Sequence, residues 1–334
     1  MTASDLSVPR RRLLQAAALL AFTTARGAHS QPDKAAFPRR PVRIVVGYPA
    51  GQTVDVAARA YAAVLQQAWG QSVYVENMPG ANGILGARVV KSATADGHTL
   101  LFGTSGQLAI NPAIYASLPY SPLRDFAPAA LGTVGRLYLV ANKALPASNL
   151  RELIAYAKAN PGKLSYGSGG AGITAHLAME MLKSATGMDM LHVPYKGSPA
   201  ALTGLMANDV QVMFDAGSLV LPQLRSGKIK VLAVSSKARY RALPNVPTVA
   251  EQGVPDFEVA SWSALMAPAG TPPAIVEKIN ADMITASRTE AVITAVRAGG
   301  SETGDLSTVQ CRDFLRRESA MWGEAAKRTE VTPE

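Results

Sequence analysis

Two glycine-containing loops have the composition of an anion-binding site. Residues 47–52 follow a short β-branched run, residues 167–172 follow a second short strand-like run, and each loop precedes a predicted helix. The first N–H groups of a helix have no partner within it, so such a loop presents free backbone donors and the positive end of the helix dipole. Glycine also lets a ligand approach the backbone closely. If the two loops face each other across a cleft, they form a site for a small anion.

The second loop also matches the dinucleotide-binding pattern Gly-x-Gly-x-x-Gly, at Gly167, Gly169 and Gly172. That pattern needs an acidic residue after the next strand to bind a ribose. Residues 193–196 are Val-Pro-Tyr-Lys and offer none. A dehydrogenase is therefore disfavoured.

A serine hydrolase is the second enzymatic alternative, with Ser168 as nucleophile, His176 as base and Asp215 as the orienting acid. The sequence has no Gly-x-Ser-x-Gly elbow to present the serine. His176 lies in the predicted helix, where a packing role is expected, and Asp215 is either a ligand contact or a buried cap. We expect no enzymatic activity and keep the hydrolase as an alternative.

The histidines and the cysteine predict no metal site and no disulfide. His98, His176 and His192 are scattered without ligand spacing, and Cys311 is the only cysteine. No cofactor is predicted.

Strands and helices alternate along the chain, which predicts an α/β fold with a largely parallel sheet. Ligands of such sheets bind at the carboxyl ends of the strands, which places residues 48–53 and 104–111 on one rim. A second α/β unit follows. The chain crosses between the two units near residues 131–137 and 258–263, so we expect two lobes with a cleft between them.

Apolar periodicity and the positions of Gly and Pro predict the bounds of these elements. Thr53 is expected to cap the first helix, which ends at Gly70. Strands are expected at 42–46, 72–76, 98–102, 137–141, 191–193, 210–214, 229–234 and 261–266, with another before the second glycine loop. Further helices are expected at 84–92, 149–159, from that loop to near 187, and at 199–207, 273–287, 290–298 and 308–328.

Residues 1–30 have the order of a signal peptide. Three arginines at 10–12 precede an apolar run at 13–23, and small residues stand at 28 and 30. We expect cleavage before Gln31, export through the general secretory or the twin-arginine route, and a periplasmic mature protein.

The positive charge of the chain does not indicate a nucleic-acid partner. Losing the four arginines and the one aspartate of residues 1–30 lowers the formal net charge from +9 to +6. The remaining charge is spread along the chain, and its densest part, residues 228–241, contains one aromatic residue.

Several segments together resemble one protein family. Tyr48-Pro49-Ala50-Gly51, followed by Thr53, Asp55 and Arg59, resembles the first loop of the Bug family, the solute-binding proteins of tripartite tricarboxylate transporters. The likeness covers essentially the whole mature chain in the family's order, through residues 76–81, 96–101, 110–112, 166–177, 193–197, 213–215, 246–248 and 267–272.

The resemblance implies a type II periplasmic-binding-protein fold with two α/β lobes joined by two crossing strands. Lobe 1 would comprise residues 31–132 and 258–334, and lobe 2 residues 133–257. A small carboxylate would lie between the lobes, held by loop amides and ordered waters rather than by an arginine. It would be a di- or tricarboxylate, an amino acid or an aromatic acid.

The same resemblance implies a set of ligand-binding residues. Asp55 would lie behind the first loop and organise it. The sequence departs from the family's pattern at Gln52, at Ala171 and at the pair at 81–82. The departures at Gln52 and Ala171 bear on the pocket, so they leave the identity of the ligand open. The implied contacts are Tyr48, Ala50, Gln52, Thr53, Asp55, Ser105 and Asn111 in lobe 1, and Ser168, Gly169, Gly170, Ile173, Thr174, Tyr195 and Asp215 in lobe 2.

Taken with the export signal, the family implies a monomeric periplasmic receptor that delivers its ligand to the membrane subunits of a tripartite tricarboxylate transporter. A periplasmic protein that presents its ligand to a sensor system is the alternative within the same fold.

Overall fold

Ten strands form one continuous sheet within residues 37–240 and 243–329, which the computed structural model describes. The signal-peptide prediction falls on residues 1–30 and lies outside the described residues. The strands are β1 Val42–Val46, β2 Val73–Asn77, β3 Thr99–Thr104, β4 Phe126–Asn142, β5 Leu164–Ser168, β6 Met190–Pro194, β7 Val212–Ala216, β8 Ile229–Val234, β9 Ala260–Pro268 and β10 Ser301–Thr303.

The sheet repeats one strand order in its two halves. In the first half-sheet, β2, β1 and β3 are parallel, and β9 then pairs antiparallel with β3 and with residues 126–136 of β4. In the second half-sheet, β6, β5 and β7 are parallel, and residues 137–142 of β4 pair antiparallel with β7 and β8. Strand β4 therefore belongs to both halves, whereas β9, which was predicted as the second crossing strand, pairs only within the first half-sheet.

Strand β4 is much longer than the five residues predicted at 137–141. Its first part contains Pro128, Gly132 and Gly135, which interrupt the pattern of a strand in the sequence. The register with β9 shifts between Pro128 and Ala130 and again between Leu131 and Thr133. These irregularities let a proline and glycines remain in a long strand. The local sequence pattern therefore predicts a strand that is shorter than the observed one.

Helices cover the sheet, and most of their bounds agree with the predictions to within one or two residues. Three helices were not predicted: two have only four residues, at Asn111–Ile114 and Pro122–Asp125, and the third, Gly217–Arg225, begins at a glycine and contains Pro222. The helices are α1 Thr53–Trp69, α2 Ile84–Lys91, α3 Asn111–Ile114, α4 Pro122–Asp125, α5 Leu150–Ala159, α6 Thr174–Thr186, α7 Ser198–Ala207, α8 Gly217–Arg225, α9 Pro273–Ser287, α10 Glu290–Ala298 and α11 Thr308–Thr329.

The start of α1 corrects one prediction. Gln52 is the capping residue, with no side-chain cap, and Thr53 is the first residue of the helix. The Thr53 hydroxyl bonds instead to Ser218 in α8, so a tertiary contact takes the place of the predicted cap. The other end agrees with the prediction, since Gly70 ends the helix with a left-handed φ of 61°.

Helix α11 packs across the join of the two half-sheets. It contacts α3 and β4, and it also contacts α6, which follows β5. Its buried Trp322 belongs to the same core cluster as Trp262 of β9, and Glu318 accepts hydrogen bonds from the indole nitrogens of both tryptophans, at 3.2 and 2.5 Å respectively. No helix within the described ranges has the length and hydropathy needed to cross a bilayer.

Candidate functional site

A cavity of about 510 Å³ lies at the carboxyl ends of the parallel strands of both half-sheets. Its walls are the loops that follow β1, β3, β5, β6 and β7, closed on one side by the end of α10. This is where an α/β sheet is expected to bind a ligand. The lining residues are 48, 51–54, 56, 104–106, 137, 169, 173–175, 197–199, 215, 216, 218, 219, 261, 295, 298 and 299.

Eight of the fourteen residues implied by the family resemblance line this cavity, and six do not. The residues that line it are Tyr48, Gln52, Thr53, Ser105, Gly169, Ile173, Thr174 and Asp215. The residues that do not line it are Ala50, Asp55, Asn111, Ser168, Gly170 and Tyr195.

Asp55 lies behind the first loop and does not line the cavity. Its carboxylate accepts hydrogen bonds from the Gly51 N–H at 2.8 Å, the Asn77 amide at 2.8 Å and the Arg59 guanidinium at 3.0 Å. Burial alone would raise the pKa of Asp55, but the hydrogen bonds from Arg59, Gly51 and Asn77 outweigh it and hold the pKa below its usual value. The carboxylate therefore fixes the loop backbone and does not reach the ligand space.

Tyr48 forms part of the cavity wall and is itself held from behind. Its hydroxyl lies 3.1 Å from Asn82 Oδ1 and 3.1 Å from Thr104 Oγ1. Burial raises the pKa of Tyr48 to about 12, so the phenol stays neutral.

Two hydrogen-bonded hydroxyl pairs connect cavity-lining residues of one half of the fold to those of the other. Thr53 Oγ1 at the start of α1 lies 2.8 Å from Ser218 Oγ in α8. Ser105 Oγ, which follows β3, lies 2.9 Å from Thr174 Oγ1 at the start of α6. The walls are thus joined by uncharged groups.

Asn111 and Tyr195 are held away from the cavity. Asn111 is fully buried, with its amide donating to Asn82 O at 3.2 Å. The Tyr195 ring packs close to Gly204, where a Cβ atom would lie 2.3 Å from the phenol oxygen. Both residues support the loops from outside the ligand space.

Ser168 faces away from the cavity, which corrects its predicted role as a ligand contact. It is fully buried, its hydroxyl donates to Gly170 O at 3.0 Å, and the hydroxyl oxygen lies 2.7 Å from His192 Nε2. The reason is strand alternation: Ser168 lies two residues after the buried Tyr166 in β5, so both side chains point to the same face. The serine shapes the glycine loop from behind.

His176 has the packing role predicted for it. Its Nδ1 accepts the Gly172 N–H at 3.0 Å, and its ring stacks on His192 with centroids 3.8 Å apart. Burial and the neighbouring His192 lower the pKa of His176 to about 3. Burial also lowers the pKa of His192, to about 4. The serine is thus paired with His192 and buried, so no Ser168–His176–Asp215 arrangement forms.

The glycines of the dinucleotide-like pattern serve packing. A Cβ atom on Gly169 would lie 2.6 Å from Ser198 N, and one on Gly172 would lie 2.5 Å from Ile114 Cδ1. Close approach of protein segments therefore accounts for these two glycines. In the described part of the chain, no three His, Cys, Asp or Glu side chains are grouped as a metal site would need.

Asp215 lies at the end of β7 and is buried. Its Oδ1 accepts the Ala216 N–H at 2.7 Å, and burial raises the pKa of its carboxyl to about 6. It is the only carboxylate among the lining residues, which include no Lys, Arg or His.

Some lining residues could not be named from the sequence. Ser218 and Leu219 come from the unpredicted helix α8, and Ala298 and Gly299 from the end of α10. The only signal for the first pair was the loop position after Asp215, at a predicted strand end.

Residues 57–331 match the family model of the tripartite tricarboxylate transporter family receptor, TctC. The chain belongs to this family. The protein BugT of Bordetella pertussis is 36% identical to it over 294 residues, which cover 88% of this chain and 90% of BugT. The prediction of a Bug-family solute-binding receptor rather than an enzyme is confirmed.

Two solved structures with about one third sequence identity share the fold of this receptor. Rpa4515 of R. palustris, solved with adipate, is 35% identical, with a TM-score of 0.82 over 89% of this chain and 100% of that one. MatC of Rhodopseudomonas palustris, solved with bound malate, is 33% identical, with a TM-score of 0.78 over 86% of this receptor and 99% of MatC. The predicted α/β, type II periplasmic-binding-protein-like fold is confirmed.

Proposed function

We propose that this receptor is an exported periplasmic protein that captures a small carboxylate in the cavity and delivers it to the membrane subunits of a tripartite tricarboxylate transporter. Carboxylates are bound by two similar proteins, adipate by Rpa4515 and malate by MatC. The name of the family itself supports the transporter as the recipient.

The observation that carries the proposal is that four helices begin at the cavity wall. The lining includes Thr53 at the start of α1, Thr174 at the start of α6, Ser198 at the start of α7 and Ser218 in the first turn of α8. The first N–H groups of a helix have no partner within it, and each helix start carries roughly half a positive charge. At the start of α8 the Ser218 N–H already donates to Gly299 O at 3.2 Å, so the free donors come chiefly from the other three helices. The cavity thus attracts an anion with no cationic side chain in its wall, and backbone donors hold the carboxylate.

The proposal includes two lobes, residues 31–132 with 258–334 and residues 133–257, that close over the ligand. The repeated strand order of the half-sheets and the passage of β4 from one to the other support these bounds. The cavity walls come from both lobes, so rotation about the crossing strands would open it.

Calorimetry on the purified mature chain tests the binding function. We expect adipate, malate or a related small acid to bind with micromolar affinity, about −8 kcal/mol. The matched uncharged diamides should not bind, because the backbone N–H groups at the helix N-termini favour a negatively charged ligand over a neutral one. Binding of the diamides as tightly as the acids would contradict the proposal.

Uptake measurements test delivery. A strain lacking the receptor gene but keeping the membrane subunits should lose uptake of the bound acid. If uptake persists and only the cellular response to the acid is lost, the sensor alternative is correct. Amino-terminal sequencing of the periplasmic protein should start at Gln31; an intact Met1 would contradict export with cleavage.

A further inference from the structure

Asp215 is an unusual residue to find in the wall of an anion-binding cavity. It lies at the carboxyl end of β7, directly before α8 and beside the start of α7, and it is 5% exposed. A carboxylate there adds negative charge to a cavity whose other features attract anions. Such a residue needs a reason in the ligand or in the fold.

The fold accounts for one of its two carboxylate oxygens. Oδ1 accepts the Ala216 N–H at 2.7 Å and so helps to start α8. Oδ2 is buried and accepts no hydrogen bond of ordinary geometry from any described residue. An asparagine would serve the backbone contact equally well, so the cap alone does not explain the acid.

The raised pKa of Asp215 agrees with a carboxylate oxygen that lacks a well-formed hydrogen bond. Burial raises the pKa of Asp215, and the Ala216 N–H and the Ser198 side chain oppose that rise without cancelling it. A buried acceptor whose hydrogen bond is missing or poorly aligned is left with an uncompensated desolvation cost. A ligand that donates a hydrogen bond to Oδ2 would remove this cost and gain a charge-assisted bond.

We propose that Asp215 makes the receptor selective for carboxylates that carry a hydrogen-bond donor, a hydroxyl or an ammonium group, at the end away from the carboxylate held by the helix termini. This inference rests on the proposed carboxylate-binding function. A second ionised carboxylate facing Asp215 would place two like charges together in a buried site. A site built to pair with a donor rejects an analogue that lacks one far more strongly than it rejects a change of size.

Ligands of equal chain length and different far ends separate these cases. The probes are adipate, 6-hydroxyhexanoate and 6-aminohexanoate, with the matching four-carbon set of succinate, 4-hydroxybutanoate and 4-aminobutanoate. Calorimetry near neutral pH should show the hydroxy or amino acid binding at least about tenfold more tightly than the dicarboxylate in the length that fits.

Asp215→Asn is the decisive variant because it keeps Oδ1 and replaces Oδ2 with a donor. The ratio of affinities should shift toward the dicarboxylate by about tenfold or more. Asp209→Asn is the control, since Asp209 is exposed and does not line the cavity; its ratio should equal that of the wild type.

Two outcomes overturn the inference. One is a wild-type preference for the fully ionised dicarboxylate at the length that fits, which needs no variant and so holds even if Asp215→Asn does not fold. The other is an unchanged ratio in folded Asp215→Asn. Failure of the wild type to bind any of the six acids would instead overturn the carboxylate-binding function on which the inference rests.

Discussion

Hydroxyl groups, rather than ion pairs, join the two walls of the cavity. The Thr53–Ser218 and Ser105–Thr174 pairs each link a residue of the first half of the fold to one of the second. When the walls separate, each hydroxyl can bond to water, so each pair contributes only about 1 kcal/mol net. In the proposed closure, such links would favour the closed form without preventing its opening.

A double-mutant cycle on Thr53→Val and Ser218→Ala measures the first link. Both residues also line the cavity, so single variants mix lost ligand contacts with the lost link. We expect a coupling of about 1 kcal/mol in the binding free energy of the best acid in the panel. Thr285→Val is the control, because Thr285 is exposed and its hydroxyl bonds only within α9. Strict additivity of the two changes would show that the pair does not stabilise the closed form.

The buried histidine pair predicts a pH dependence of stability. The pKa of His176 is about 3 in the folded protein and near 6.5 when unfolded, so the unfolded chain binds more protons between those values. The free energy of unfolding should therefore fall as the pH is lowered from about 6.5 to 4, by up to about 1.4 kcal/mol per pH unit from this group. The raised pKa of Asp215 gives the opposite slope between its two pKa values, so a difference measurement is needed.

His176→Gln supplies that difference. Glutamine can still accept the Gly172 N–H but does not titrate. Urea unfolding at several pH values should show a shallower loss of stability for the variant than for the wild type. Parallel curves for the two proteins would contradict the assignment.

For individual residues, the sequence predicted which loops form the cavity better than it predicted where single side chains point. Gly169, Ile173 and Thr174 line the cavity as expected because a loop before a helix exposes them on any α/β fold. The direction of Ser168 was predictable from its alternation with Tyr166, a signal that a glycine-rich motif obscures. The unpartnered oxygen of Asp215 was not predictable, since it depends on which segments bury that side chain.

The second glycine loop links two helices at the level of elements. Gly169 approaches Ser198 N so closely that a Cβ atom would lie at 2.6 Å, and the Gly197 N–H donates to Gly169 O at 3.1 Å. The starts of α6 and α7 are therefore held in one fixed relation. Their N–H groups can act on one ligand only while that relation holds.

Gly169→Ala should push the two helix starts apart. We expect the affinity for the best acid to fall by more than tenfold, about 1.4 kcal/mol, while the fold survives. Gly323→Ala is the matched control: Gly323 lies within α11 with open space at its Cβ position, so binding should be unchanged and stability should rise by about 1 kcal/mol. Equal affinities for both variants would show that the loop spacing does not matter.

Element bounds were predictable where the local pattern and the fold agree, as for β1 and α9. They were not predictable where tertiary packing overrides a breaker. Pro128 lies in β4 beside a register shift, and Pro222 lies inside α8. In both cases the long-range pairing or packing offsets the local cost of the proline.

Two features of the whole molecule act on closure in opposite directions. The chain passes between the two half-sheets in β4 and again ahead of β9, and the proposed rotation would use these two crossings as its hinge. Helix α11 packs against α3 on one side and α6 on the other, so opening must rearrange part of that contact. We therefore expect a rotation of limited extent, in which α11 remains attached to the first half.

Small-angle scattering measures this rotation. Saturation with the best acid should reduce the radius of gyration, because the ligand contacts both walls and binds the closed form better. The same titration with Asp209→Asn should give the wild-type change. Identical curves with and without ligand would show that the walls do not move on binding.

The position of β9 also sets the order in which the chain can fold during synthesis. Phe102 of β3 pairs with Leu265 of β9, which in turn pairs with Ala130 of β4, so the first half-sheet keeps a gap until the C-terminal third has been made. Pairings so distant in sequence form slowly because a long loop must close first. A nascent chain of this design cannot complete its first half-sheet until β9 has been made, which would suit the proposed export if the chain is exported unfolded.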